Sequence, residues 1–218
     1  MRSNSFSTDA LDRRLGSLGF SLPENALAGL AEYLALLTKW NKAMNLVGTR
    51  SWEETLDTLI VDSFHLADFL PSLGLPAQPV CFDLGAGAGL PGIPLRLLWR
   101  DGEYTLVEIR EKRALFMRTV LAAVDLGRTA VFQGKAEDFF RQSEHADLIV
   151  SRAFMPWREL LEFISDALAP DGRTVFLTLT PAPAELPAPW RLAAETEYAV
   201  AGTKRYFWCL TRECEVRT

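Results

Sequence analysis

Histidine and cysteine are scarce in this 218-residue chain, which has two of the first and three of the second. The cysteines (Cys81, Cys209, Cys214) form no Cys-x-x-Cys pair, so a redox or thiolate-metal motif is excluded. A sparse, odd set suits a reducing compartment, and each is read as buried or incidental. His65 falls in a helical pattern and His145 in a polar loop, with no nucleophile or metal-type cluster beside either. No apolar run reaches the roughly 18 residues of a membrane span. The first eight residues hold no apolar core of a secretory signal. Positive charge is not in excess either: net charge is −5, which disfavours a protein that coats nucleic acid without specificity. There is no internal repeat. One low-complexity patch, residues 181–189, carries four prolines and reads as a loop.

What is present centres on Val80-Cys81-Phe82-Asp83-Leu84-Gly85-Ala86-Gly87-Ala88-Gly89-Leu90-Pro91-Gly92. Strand-forming residues run into alternate glycines and then into a helix start with proline in its first turn. Glycine lets the backbone turn sharply and a ligand approach the main chain. The helix start is expected to aim free N–H groups at that ligand. Gly87-Ala88-Gly89-Leu90-Pro91-Gly92 satisfies the dinucleotide pattern G-x-G-x-x-G, a weak signal alone. Asp83-Leu84-Gly85-Ala86-Gly87-Ala88-Gly89 fits the acidic-x-Gly-x-Gly-x-Gly loop of S-adenosylmethionine sites. The carboxylate discriminates, because it would repel a pyrophosphate and suits an ammonium and a sulfonium. Asp83 is expected to point at the ligand.

The first 75 residues read as helices. Thr8 is a candidate cap, Ser21-Leu22-Pro23-Glu24 and Ser51-Trp52-Glu53-Glu54 are capping boxes, and 55–70 is one helix. From residue 79 strands (80–84, 104–109, 130–133, 146–150, 174–180) alternate with helices (90–99, 112–126, 136–141, 157–168). The tail reads as two strands, 197–200 and 205–210, around a turn at 201–204. The expected fold is a doubly wound, mostly parallel α/β sheet of the S-adenosylmethionine-dependent methyltransferase type. It ends in an antiparallel hairpin and carries a helical extension (1–75) on a cofactor-binding domain (76–218).

In such sheets ligands bind outside the carboxyl ends of the strands. Glu108, at the second strand's end, is placed to accept from ribose hydroxyls, whichever nucleoside is bound. Ala136-Glu137 offers a backbone N–H for an adenine edge. Arg152, in Ser151-Arg152-Ala153-Phe154 after the fourth strand, implies an anionic or carbonyl partner: a cofactor carboxylate, an RNA phosphate or a guanine oxygen. Phe154 is a candidate for stacking a base and equally for packing. Arg110, Lys112, Arg113 and Arg118 make a local basic run that reads as a solvated helix face or a nucleic-acid contact.

The chain resembles the bacterial 16S ribosomal RNA guanine-N7 methyltransferases, once named glucose-inhibited division protein B. The resemblance rests on Lys39-Trp40-Asn41-Lys42-Ala43-Met44-Asn45-Leu46, Asp62-Ser63, the glycine loop with Leu90-Pro91-Gly92-Ile93-Pro94-Leu95, Lys112-Arg113, Ala136-Glu137-Asp138 and Ser151-Arg152-Ala153-Phe154. It implies a cytoplasmic enzyme that uses S-adenosylmethionine to methylate one guanine of the small-subunit RNA. The partners implied are 16S ribosomal RNA or the small subunit, with no membrane and no metal, and a monomer is expected. Carried over by position, Asp83, Gly85, Ala86, Gly87, Gly89 and Leu90 line the cofactor, Glu108 holds the ribose and Ala136-Glu137 the adenine end. Arg152 serves the reaction site. The pattern departs after the fifth strand, where the family usually has a lysine-glycine pair and this chain has Thr178-Leu179-Thr180-Pro181. Lys204-Arg205 at the final turn is a candidate phosphate contact. A same-fold enzyme acting on a small molecule or protein, a nicotinamide oxidoreductase and a non-enzymatic RNA-binding module are the other readings of the residues.

Overall fold

The computed structural model describes residues 7–213; Cys214 lies outside the described residues. Seven strands form one sheet in the order β3-β2-β1-β4-β5-β7-β6. They are β1 (Val80–Leu84), β2 (Glu103–Glu108), β3 (Thr129–Gln133), β4 (Ala146–Ser151), β5 (Leu168–Thr178), β6 (Trp190–Val200) and β7 (Thr203–Arg212). The pairs β1·β2, β1·β4, β2·β3 and β4·β5 are parallel, while β7 runs antiparallel to β5 and β6 to β7. Strand order reverses at β1, so the loops after β1 and β4 flank the switch point where α/β sheets take ligands.

Residues alternate across the sheet. Cys81, Leu106, Leu148, Val150, Val175, Phe207 and Cys209 enter one core, and Phe82, Leu84, Val107, Ile149, Phe176, Trp208 and Leu210 the other. The first core is covered by α5 (Gly92–Leu98), α6 (Glu111–Ala123) and the N-terminal helices α1 (Thr8–Ser17), α2 (Glu24–Met44), α3 (Trp52–Thr55) and α4 (Val61–Phe69). The second is covered by α7 (Ala136–Phe140) and α8 (Trp157–Phe163). A Cβ on Gly29 of α2 would lie 2.6 Å from Leu97 of α5 and 2.9 Å from Val124, so this glycine sets how closely α2 approaches. Phe69 of α4 stacks on Phe207 of β7 at 5.5 Å, and His65 lies 4.6 Å from Tyr198 of β6. His65 is thus a packing residue, half buried, with its pKa lowered by desolvation. Burial likewise pushes the thiols of Cys81 and Cys209 up, which leaves them unreactive.

Several local expectations are corrected. The cap of α1 is Ser7, whose hydroxyl accepts from the Ala10 N–H at 3.2 Å; Thr8 is already helical. The residue before α2 is Pro23 and no side chain caps it, so Ser21 makes no capping box. Ser51 does cap α3, accepting from the Glu54 N–H at 3.1 Å, but the Glu54 carboxylate reaches back to the Arg50 N–H instead of Ser51. The expected helix over 55–70 is broken by a π-turn at Leu56–Ile60. The final hairpin turns on two residues, Ala201 and Gly202, at φ 49° and 78°. Both values are positive, as the tight primed turns of twisted hairpins require. β5 and β6 start earlier than expected, at Leu168 and Trp190. Among the described residues no helix is long and apolar enough to cross a membrane.

Candidate functional site: a nucleoside cleft beside a cationic cavity

The loop after β1 is built from inside. Gly85, Gly87 and Gly89 have φ of 68°, 60° and 79°, the left-handed region that glycine reaches without steric cost. Five of its N–H groups are spent on the protein itself. Gly85 and Ala86 donate to the Val107 carbonyl, Gly87 to Glu108 Oε2 at 2.9 Å, and Gly89 and Leu90 to the Ala86 carbonyl. Gly92, at the start of α5, donates to Asp83 Oδ2 at 3.1 Å. A Cβ there would meet Leu106 at 2.5 Å and Asp83 Oδ2 at 2.6 Å, so only glycine lets β1 and α5 come this close. From above, the Tyr33 hydroxyl of α2 donates to the Ala88 carbonyl at 2.9 Å.

Asp83 therefore does not point into a ligand cleft as expected. It is 1% exposed and turns beneath the loop, where Gly92 N–H and the Tyr104 hydroxyl (3.3 Å) donate to it. Burial pushes its pKa up to about 7, against the lowering effect of those two hydrogen bonds and of Arg152. The helix start is likewise not an open anion cradle, since its Gly92 N–H is committed to Asp83.

A cleft of ≈ 460 Å³ opens over the ends of β1, β2 and β3. Of the residues expected to hold a cofactor, Gly85, Glu108, Ala136 and Glu137 line it, together with Ile109, Arg110, Arg113, Lys135 and Phe154. Glu108 is the floor. It is 4% exposed, and its second oxygen, Oε1, accepts from the Arg110 N–H at 2.8 Å. Each carboxylate oxygen carries two lone pairs, so hydroxyls of a bound sugar can still be accepted. Ala86, Gly87, Gly89 and Leu90 shape the loop without lining the cleft, and Arg152 lines an adjacent cavity instead. Phe154 sits on the loop: a Cβ on Gly85 would fall 2.5 Å from its ring, which also packs on Phe163.

Three contributors escaped the sequence. Ile109 is 56% exposed although apolar, and it walls the cleft directly after Glu108. Its signal was an aliphatic residue at a strand end after the acidic one. Arg113 stands 3.4 Å from where a Cβ on Gly87 would lie, and with Arg110 it makes two members of the basic run cleft residues. Tyr33 had no signal beyond its place in an apolar helical stripe. Trp40, by contrast, is packed on Phe116 at 5.7 Å, and Asn41 staples the loop after α2 by accepting from the Val47 N–H at 2.9 Å.

The sequence matches the family described as rRNA small subunit methyltransferase G over residues 26–191. A ribosomal RNA small subunit methyltransferase G of Nitratidesulfovibrio vulgaris (strain DP4) is 57% identical over 192 residues, 88% of either chain. The protein of that name from Lawsonia intracellularis is 48% identical over 197 residues, 89% of this chain and 91% of the other. Among solved structures, magnesium protoporphyrin IX methyltransferase from Synechocystis PCC 6803 with bound SAM is similar in fold, with a TM-score of 0.55 at 12% identity over 83% of this chain and 97% of that one. With the glycine loop, the strand-end carboxylates and this match over most of its length, the chain belongs to the rRNA small subunit methyltransferase G family.

Proposed function

We propose that this protein transfers the methyl group of S-adenosylmethionine to N7 of one guanine in 16S ribosomal RNA, acting in the cytoplasm on RNA or on the small subunit. The methyl donor follows from the family; the observation that supports its place in the cleft is the pair of buried carboxylates under the glycine loop. Asp83 and Glu108 take the Gly92 and Gly87 N–H groups that a pyrophosphate would need. With those donors committed, the loop has neither N–H group left for a pyrophosphate, which disfavours a dinucleotide.

In this reading Glu108 receives the ribose hydroxyls, the Ala136 N–H and Glu137 meet the adenine edge, and Ile109 covers the base face. Gly85, Ala86, Gly87, Gly89 and Leu90 give the loop its shape, and Asp83 fixes it through Gly92. When bound, S-adenosylmethionine supplies a methyl carbon activated by its sulfonium. Guanine N7 carries a free lone pair at neutral pH, so no side chain has to remove a proton. Neither histidine lines the cleft, which is consistent with that. The residues then act by orientation, holding acceptor and methyl carbon in line. The helical extension belongs to the catalytic unit on this view, because Tyr33 holds the glycine loop and Asp62 faces Arg152.

Transfer of labelled methyl to small subunits from a strain lacking the modification tests the proposal. Label recovered as 7-methylguanosine at a single position is expected. Absence of that label, with cofactor binding verified by calorimetry, sinks the guanine assignment and leaves the methyl donor standing.

A further inference from the structure

Beside the cofactor cleft, and sharing Ala153 with it, lies a second cavity of ≈ 280 Å³. Asp62 of α4, Arg152 after β4, Leu179 after β5, Tyr198 of β6 and Arg205 of β7 face it. Asp62 is 2% exposed and already well served. Its Oδ2 accepts from Arg205 Nη1 at 2.5 Å, and its Oδ1 from the Tyr198 hydroxyl at 3.0 Å. Arg152 stands off, with Nη2 3.6 Å from the same Oδ2, outside hydrogen-bond distance. It is held instead through Nη1 by the Leu59 carbonyl at 3.1 Å, within the π-turn. Such turns break the regular helical ladder and cluster at functional sites.

The charges do not balance. One carboxylate faces two guanidinium groups whose side chains are 23% and 16% exposed, so the cavity keeps one net positive charge. Arg205 Nε is buried with no hydrogen-bond partner. A half-buried cation and an unmet donor are costly unless an anion arrives. We infer that this cavity holds a phosphate of the acceptor RNA strand, with Arg152 and Arg205 as its donors and Asp62, Tyr198 and the Leu59 carbonyl as the groups that position them.

The assignment rests on the RNA methyl-transfer reading. A phosphate is favoured over the base itself because N7 gains positive charge as it is methylated, and a guanidinium against it would oppose the reaction. The base has apolar neighbours to lie on: Phe154 in the cleft, and Leu179, 67% exposed at the cavity. The cofactor carboxylate is disfavoured because Arg113 already stands in the cofactor's own cleft.

Steady-state kinetics on small subunits at several salt concentrations tests this. Arg205→Gln is expected to raise KM about tenfold or more with little change in kcat. It should also lower the slope of log KM against log salt by about 0.7 to 0.9, one phosphate contact, and Arg205→Lys should restore part of it. Calorimetry should give the variant an unchanged affinity for S-adenosylhomocysteine. An unchanged salt slope would reduce Arg205 to a structural strut and overturn the inference. So would a loss of affinity for S-adenosylhomocysteine that its decarboxylated analogue does not show, which would make the cofactor carboxylate the anion. If Arg205→Gln does not fold, inorganic phosphate against chloride at equal ionic strength decides on the unaltered protein: competition with RNA by phosphate supports the site, and equal inhibition by both overturns it. Wild-type protein that forms no 7-methylguanosine would instead sink the proposed function, before any variant is compared.

Discussion

Replacing Asp83 by Asn removes an ionisable group that is 1% exposed and keeps an oxygen for the Gly92 N–H and the Tyr104 hydroxyl. Desolvation raises the folded carboxyl from 3.8 to about 7. The unfolded carboxyl releases its proton near pH 4, whereas the folded one keeps it until about pH 7. Between those values the folded state binds more protons, so stability falls as pH rises and the full cost is present above about 7. Roughly three pH units at about 1.4 kcal/mol each give about 4 kcal/mol as an upper figure. Asn cannot ionise and escapes this loss. Urea melts followed by tryptophan fluorescence at pH 5, 6, 7 and 8 should show Asp83→Asn gaining on the wild type by a few kcal/mol across the series. A flat difference, or a wild type that gains with pH, would mean that the two hydrogen bonds outweigh burial, and the reasoning would fail. A bound cation nearby would lower the folded pKa, so S-adenosylmethionine should stabilise the wild type more at pH 8 than at pH 5. If Asp83→Asn shows the same increase, Asp83 takes no electrostatic part in holding the cofactor.

Gly85→Ala places a Cβ at φ 68° and 2.5 Å from the Phe154 ring, so strain of about 1–2 kcal/mol adds to the ring's displacement. Melting temperature and cofactor affinity should both fall, and the loss should be smaller in a Phe154→Ala background, as a double-mutant cycle would read. Arg96 is fully buried and donates to the carbonyls of Trp99, Arg100, Asp101 and Gly102 and to the Thr129 hydroxyl. Arg96→Met strands those acceptors and should cost about 3–5 kcal/mol in a urea melt; a loss below about 1 kcal/mol would mean water replaces the guanidinium. Tyr33→Phe leaves the buried Ala88 carbonyl without its donor, so it should cost about 1 kcal/mol and weaken cofactor binding by more than it weakens the fold, which calorimetry beside a melt can separate.

Local signals gave the fold because strand and helix periodicities are written in neighbours. Asp83, the glycines and Glu108 were legible for the same reason, each standing at a fixed offset from a strand end. Their partners were not. The Glu108–Gly87 bond spans 21 residues and the Tyr104–Asp83 bond also 21, so the direction of each carboxylate is set by packing that no short window contains. The π-turn at Leu56–Ile60 was invisible because one inserted residue hardly disturbs an apolar stripe. β6 was half missed because it is an edge strand, with most of residues 191–197 outside the core and no apolar alternation to betray them.

Lys204 and Arg205 show how far a sequence pair can be from a structural pair. In the sequence the two form one basic spot at a turn. Successive residues of a strand face opposite ways, so only one of them can enter the cavity. The two-residue turn pairs Val200 with Thr203, which sets Ala199 against Lys204 and Tyr198 against Arg205. Lys204 then goes to the surface and pairs with Glu197 at 2.8 Å, and Arg205 goes inward to Asp62, 143 residues away in the chain. A slip of one residue would exchange the two and turn Lys204 toward the cavity in place of Arg205. The turn at Ala201-Gly202, outside the cavity's lining, is therefore what gives the cavity its second guanidinium.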